Sequence, residues 1–163
     1  MRYNLIRKMD ISNGPGVRVS IFMQGCAFHC KNCFNPNTWN FDGGEEFNQN
    51  TIDEVLDLCK EGHIKGLSIL GGEPMHPNNI EGTTKLAKAF KEKYPNKSVW
   101  AWSGFKFDED LKDKEVMKYI DVLVDGQYQD ELHDFRLKWR GSSNQRVIDV
   151  QESLKENKVV TIA

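Results

Sequence analysis

Strand-like and helix-like segments alternate along this chain, and that alternation limits its fold more than any other feature. Residues 17–24 (Val-Arg-Val-Ser-Ile-Phe-Met-Gln) are rich in β-branched and aromatic side chains and read as a strand. Residues 51–61 read as the clearest helix: Thr51 and Glu54 make a capping-box pair, and Ile52, Val55, Leu56 and Cys59 share one face. Further strands are expected at 67–70, 98–102 and 122–124, with helices at 78–94 and around 108–119. Residues 35–50 and 127–144 read as loops, and 146–150 as a fifth strand before a last short helix at 151–156. Strand, helix, strand at this spacing implies parallel strands joined by right-handed crossovers. A complete eightfold βα barrel takes about 250 residues, so a chain of 163 has room for about five units. The expected architecture is a single-domain α/β fold over residues 1–163, an open partial (β/α) barrel.

The unusual residues all follow strands. They are the cysteines after residue 24, Gly71-Gly72-Glu73-Pro74, Ser103-Gly104 and Asp125-Gly126. Parallel α/β folds bind ligands at the C-terminal ends of their strands, so these four segments are expected around one mouth.

Cys26, Cys30 and Cys33 fall within one tight loop, with no later pair of cysteines or histidines to complete a second half-site. Structural zinc is usually held by two separated ligand pairs. Three thiolates can instead hold three irons of a [4Fe-4S] cluster and leave the fourth open to a substrate. A zinc or redox-binding module using His29 as fourth ligand stands as the competing reading. Cys59, on the apolar face of the 51–61 helix, is expected to pack as a small hydrophobe.

Net charge is −2, with acids and bases interspersed, so no basic field announces nucleic acid. No apolar run approaches the roughly 20 residues needed to span a bilayer. Residues 1–10 carry no apolar signal core, and clustered cysteines suit a reducing compartment; the expected location is the cytoplasm, away from membranes.

The spacing Cys-x3-Cys-x2-Cys resembles that of the radical S-adenosylmethionine enzymes. Asn13-Gly14-Pro15-Gly16-Val17-Arg18, Gln24-Gly25-Cys26 and residues 35–39 resemble the activating enzymes of glycyl-radical enzymes. Trp102-Ser103-Gly104-Phe105, residues 121–126 and residues 139–145 are similar, more specifically, to the activases of anaerobic ribonucleoside-triphosphate reductase. The resemblance implies a [4Fe-4S] cluster on Cys26, Cys30 and Cys33, and S-adenosylmethionine cleaved by one electron. A hydrogen atom is then drawn from a glycine of the reductase large subunit. It also implies an electron donor of flavodoxin or ferredoxin type. Pyruvate formate-lyase is the alternative partner. Asn32, Cys33 and Phe34 correspond to the segment placed against adenine, although many family members carry an aromatic residue where this chain has Asn32. Gly71, Gly72 and Glu73 correspond to the element that receives the methionine amino group. No side chain need act as acid, base or nucleophile, because the cofactor does the difficult step. Asp125 could face cofactor or a cation, Arg18 and Arg140 could anchor a carboxylate, and His76 could face the site. Trp100, Trp102 and Trp139 are expected in the core or at an interface.

Overall fold

The computed structural model describes residues 1–162. Among them, seven strands form one mixed sheet: β1 (Arg2–Asp10), β2 (Val17–Gln24), β3 (Glu45–Glu46), β4 (Ile64–Gly71), β5 (Ser98–Ser103), β6 (Val122–Asp125) and β7 (Arg146–Asp149). Their order across the sheet is β3-β1-β2-β4-β5-β6-β7. Helices α1 (Gln49–Leu58) and α2 (Ile80–Lys93) connect β2 to β4 and β4 to β5, and α3 (Val150–Glu156) follows β7.

The middle of the sheet is as expected: β2, β4, β5 and β6 run parallel. The edges differ from a uniform run of βα units. β7 exists where a fifth strand is expected, but it pairs antiparallel to β6, because residues 126–145 return as a loop with no crossover helix. β1 was not expected as a strand. It pairs antiparallel to β2, and its Arg2, Arg7, Lys8 and Asp10 give the charged pattern of a strand near a sheet edge. β3 lies within the expected 35–50 loop and closes that edge.

Alternation sorts each strand into two faces. Val19, Ile21 and Met23 of β2, with Leu67 and Ile69 of β4, point toward the helices. There they join Ile52 and Val55 of α1 and Leu86 and Phe90 of α2 in the larger apolar cluster. Fully burying each such side chain contributes roughly 1.5–3 kcal/mol. The opposite face carries Phe22, Leu70, Trp100 and Trp102, and loops rather than helices cover it. A smaller cluster there joins Trp100, Val122, Val124 and Val147 to Trp102 and Trp139.

Helix α1 starts earlier than expected. Asn48 is its cap: the Thr51 N–H donates to Asn48 Oδ1 at 3.3 Å, and the Asn48 N–H donates to Thr51 Oγ1 at 3.2 Å. Thr51 is thus the third helical residue of a reciprocal capping box, not the cap itself. The helix expected around 108–119 is instead a π-helical turn, Phe107–Leu111, followed by a 3-10 turn, Glu115–Tyr119. Leu111 and Val116 are both buried. On one continuous α-helix, five residues apart, they would point about 140° away from each other.

Candidate functional site

The cysteine loop grows out of the end of β2 and is tied down at its base. Gly25 N–H donates to the Thr38 carbonyl at 2.6 Å and Cys26 N–H to the Trp39 carbonyl at 3.1 Å. Buried Thr38 reaches on to β4, its Oγ1 accepting from Gly72 N–H at 2.7 Å, while Glu73 N–H donates to the Gly25 carbonyl at 2.8 Å. Within the loop, His29 and Asn32 have φ of 49° and 55°, and Cys33 N–H donates to the Cys30 carbonyl at 3.1 Å. Asparagine enters that left-handed region more readily than an aromatic residue, which gives Asn32 a backbone reason to stand there.

All three loop cysteines are free thiols, Cys26 buried and Cys30 and Cys33 half-buried. Burial pushes the Cys26 and Cys30 thiols up, and each is raised further by a neighbouring cysteine, Cys30 for Cys26 and Cys33 for Cys30. Backbone N–H groups oppose this. Those of Phe28 and His29 face the Cys26 sulfur and that of Tyr128 faces Cys30, and the Asn35 N–H donates to Cys33 Sγ at 3.4 Å.

Among the described residues, no three histidine, cysteine or acidic groups converge tightly enough to hold a single metal ion. His29, the fourth ligand of the zinc reading, is stacked flat on Trp39, with ring centroids 4.4 Å apart. Three thiols on one loop, separately placed and met by N–H donors, are a donor set that fits an iron–sulfur cluster, whose corners take one thiolate each.

Gly71 and Gly72 are required by close backbone packing. A Cβ on Gly72 would stand 2.5 Å from the Met23 carbonyl oxygen and 2.8 Å from that of Gly25. Glu73 is buried and turns inward: its Oε1 accepts from Gly104 N–H at 2.7 Å, and its Oε2 from Ser103 Oγ at 2.7 Å and Met75 N–H at 2.9 Å. Burial pushes this carboxyl up to about 7, against those three bonds. Glu73 therefore braces the end of β4 to the end of β5.

On the sheet face turned away from the helices lies a cleft of about 470 Å³, within the range of small-molecule sites. Phe22, Leu70 and Trp102 form its apolar floor, and Phe34, Asn35 and Gly71 form the wall beside the cysteines.

The family model that matches this chain, over residues 12–148, is a 4Fe-4S single cluster domain. The anaerobic ribonucleoside-triphosphate reductase-activating protein of Enterobacteria phage T4 is 42% identical over 147 residues, covering 90% of this chain and 93% of the relative. The proteins of that name from Vibrio cholerae and Escherichia coli K12 are 40% and 39% identical, covering 89% and 90% of this chain and 96% and 97% of their own. This chain belongs to that activating-protein family.

Other expected residues take places in the activating-protein fold that sequence alone did not settle. Asp125 is buried and accepts from Arg146 Nε at 3.0 Å, Arg146 Nη2 at 2.6 Å and Phe107 N–H at 2.8 Å, so it anchors β7 to β6. Arg18 is buried at the opposite end of the strands. Its five N–H donors go to Ser68 Oγ, Leu67 O, Pro15 O and the hydroxyl and carbonyl of Ser98, and burial lowers it to about 10. Arg140 lines the cleft; one Nη donates to the Gln145 carbonyl at 2.6 Å while its buried Nε has no partner in the protein. His76 packs on Phe41 at 4.6 Å and accepts from Asn78 N–H. Cys59 is fully buried, its thiol pushed up to about 12 by that burial. Trp102 and Trp139 reach the cleft, joined by a 2.7 Å bond from Trp102 Nε1 to the Trp139 carbonyl. Sequence reasoning missed Ser103 and Gly104 as the partners of Glu73, although their position after a strand marks them as site candidates.

Proposed function

We propose that this chain activates an anaerobic ribonucleoside-triphosphate reductase by generating a glycyl radical on its large subunit. In this reading Cys26, Cys30 and Cys33 hold the [4Fe-4S] cluster at which S-adenosylmethionine is cleaved. One observation carries it: three free thiols on a tied-down loop at the C-terminal ends of parallel strands, beside an apolar cleft, in a chain whose relatives are named for that activation. When bound, the cluster supplies the electron for reductive cleavage of S-adenosylmethionine.

The chain's own groups hold and shield. Asn32, Cys33 and Phe34 offer backbone polar groups to adenine, and Gly71 and Gly72 bring the last backbone of β4 to the cleft wall for the methionine amino group. Glu73 acts one step back, fixing that turn through Ser103 and Gly104. Phe22, Leu70 and Trp102 keep water from the reacting atoms. We read the face opposite the helices as the interior of an open partial barrel, and residues 1–163 as one radical-SAM domain. A single sheet and a family match over 12–148 support both. Met9, Ile11 and Phe135 are large apolar side chains with 69%, 75% and 87% of their surface exposed. Phe135 lines the cleft, and Met9 and Ile11 stand shortly before Ser12 in the chain, which does too; this rim is assigned to the glycine-bearing segment of the reductase. A flavodoxin- or ferredoxin-type donor in the cytoplasm completes the assignment. Among the described residues no helix is long and apolar enough to cross a membrane.

Anaerobic reconstitution with iron and sulfide tests this reading. The loaded, reduced protein should release 5′-deoxyadenosine and raise a glycyl radical signal on the reductase in electron paramagnetic resonance. Alanine at Cys26, Cys30 or Cys33 should abolish both, while Cys59→Ala retains them. Full activity in any of the three loop variants, or a radical only on a formate-lyase, would overturn it.

A further inference from the structure

The cysteine loop is fastened across the mouth to the turn that follows β6. Asn32 Nδ2 donates to Asp130 Oδ2 at 2.9 Å, and Tyr128 OH donates to Asp130 Oδ1 at 3.0 Å. The Phe34 ring lies against Tyr128 with centroids 5.1 Å apart, and the Tyr128 backbone N–H faces the Cys30 sulfur. Gly141 lets the two rings close: a Cβ there would stand 2.7 Å from Phe34 and 3.0 Å from Tyr128. The two bonds hold the Asp130 carboxyl below the usual carboxylate range. The same 126–145 loop exposes Leu132 and Phe135.

We propose that Asp130 is a positioning residue for the cysteine loop. Accepting from Asn32 and Tyr128 at once, it clamps the 126–145 loop onto the cysteine loop and sets where Cys30 and Cys33 stand beside the cleft. The proposal rests on the reading of those cysteines as cluster ligands. It makes Asp130 the link through which a protein seated on Leu132 and Phe135 is felt at the thiols. Asn32 is then placed both by its left-handed backbone and by its amide donor.

Three variants decide it: Asp130→Ala, Asn32→Asp, and the double exchange of Asn32→Asp with Asp130→Asn. The first removes the acceptor, and the second sets two carboxylates against each other. The exchange rebuilds both bonds with the roles swapped: the new amide at position 130 donates to the new carboxylate at position 32, and its oxygen accepts from Tyr128 OH. In the metal-free chain, each single variant should raise hydrogen exchange across residues 27–35 by about fivefold, and the double exchange should restore it. In the iron-loaded, reduced protein, each single variant should keep its iron but weaken by about fivefold the S-adenosylmethionine concentration dependence of the cluster's electron resonance spectrum, again restored by the double exchange. Unchanged hydrogen exchange, no rescue by the double variant, or a wild-type spectral response in the single variants overturns the proposal. A wild-type cluster indifferent to S-adenosylmethionine would sink the functional reading instead, and the metal-free measurement would still decide the clamp.

Discussion

Glu73 shows how a motif residue takes its role from partners far away in sequence. Its carboxylate accepts from Ser103, Gly104 and Met75 in a site without water access, so it ties two strand ends together. Burial raises this carboxyl to about 7 from the ordinary 4.5. Between those values the folded chain keeps a proton that the unfolded chain releases. The stability this group contributes is therefore full below about pH 4.5 and is lost as pH rises to about 7, by about 3 kcal/mol at most. Glu73→Gln has no such titration. In the metal-free chain, denaturant midpoints should fall for the wild type relative to the variant between pH 5 and pH 8; parallel pH profiles would contradict the assignment. The three cysteines were legible because metal-ligating residues announce themselves by type and local spacing. The Glu73 brace and the Asn32–Asp130 bond were not, since the pairs are 30 and 98 positions apart and join loops with no shared pattern.

Among the elements, those with a strong local pattern were the ones read correctly. β2 matches its expected bounds, and the buried face of α1 is the expected one, because β-branched runs and helical spacing are local signals. The start of α1 was misplaced because Asn48 and Thr51 satisfy one another across a turn whose pattern Thr51 and Glu54 also match. Asn48→Ala should lower unfolding stability by about 1 kcal/mol, measured by urea denaturation, whereas Asn48→Asp should stay within a few tenths of wild type. Equal losses in both variants would remove the cap from the account. The direction of β7 was not legible, since a strand reads alike in either orientation and only the connecting segment distinguishes them. Charged β1 escaped notice for a related reason: near an edge, solvent-facing charge replaces alternation.

Taken whole, the molecule divides its labour between the two faces of one sheet. The helix-covered face supplies the core; the other places Phe22, Leu70 and Trp102 on the floor of a cleft walled by Phe34, Asn35 and Gly71. The family and the general βα plan were readable from the chain, whereas the loop that roofs the cleft, residues 126–145, had no periodic signal. The central claim is a cluster held by three protein thiolates with S-adenosylmethionine on its remaining iron. Its most direct test is electron–nuclear double resonance on the reduced, iron-loaded protein with S-adenosylmethionine carrying nitrogen-15 in its amino group. The account predicts a nitrogen-15 coupling that disappears when unlabelled cofactor is exchanged in. A cluster with four protein ligands and no such coupling would contradict it.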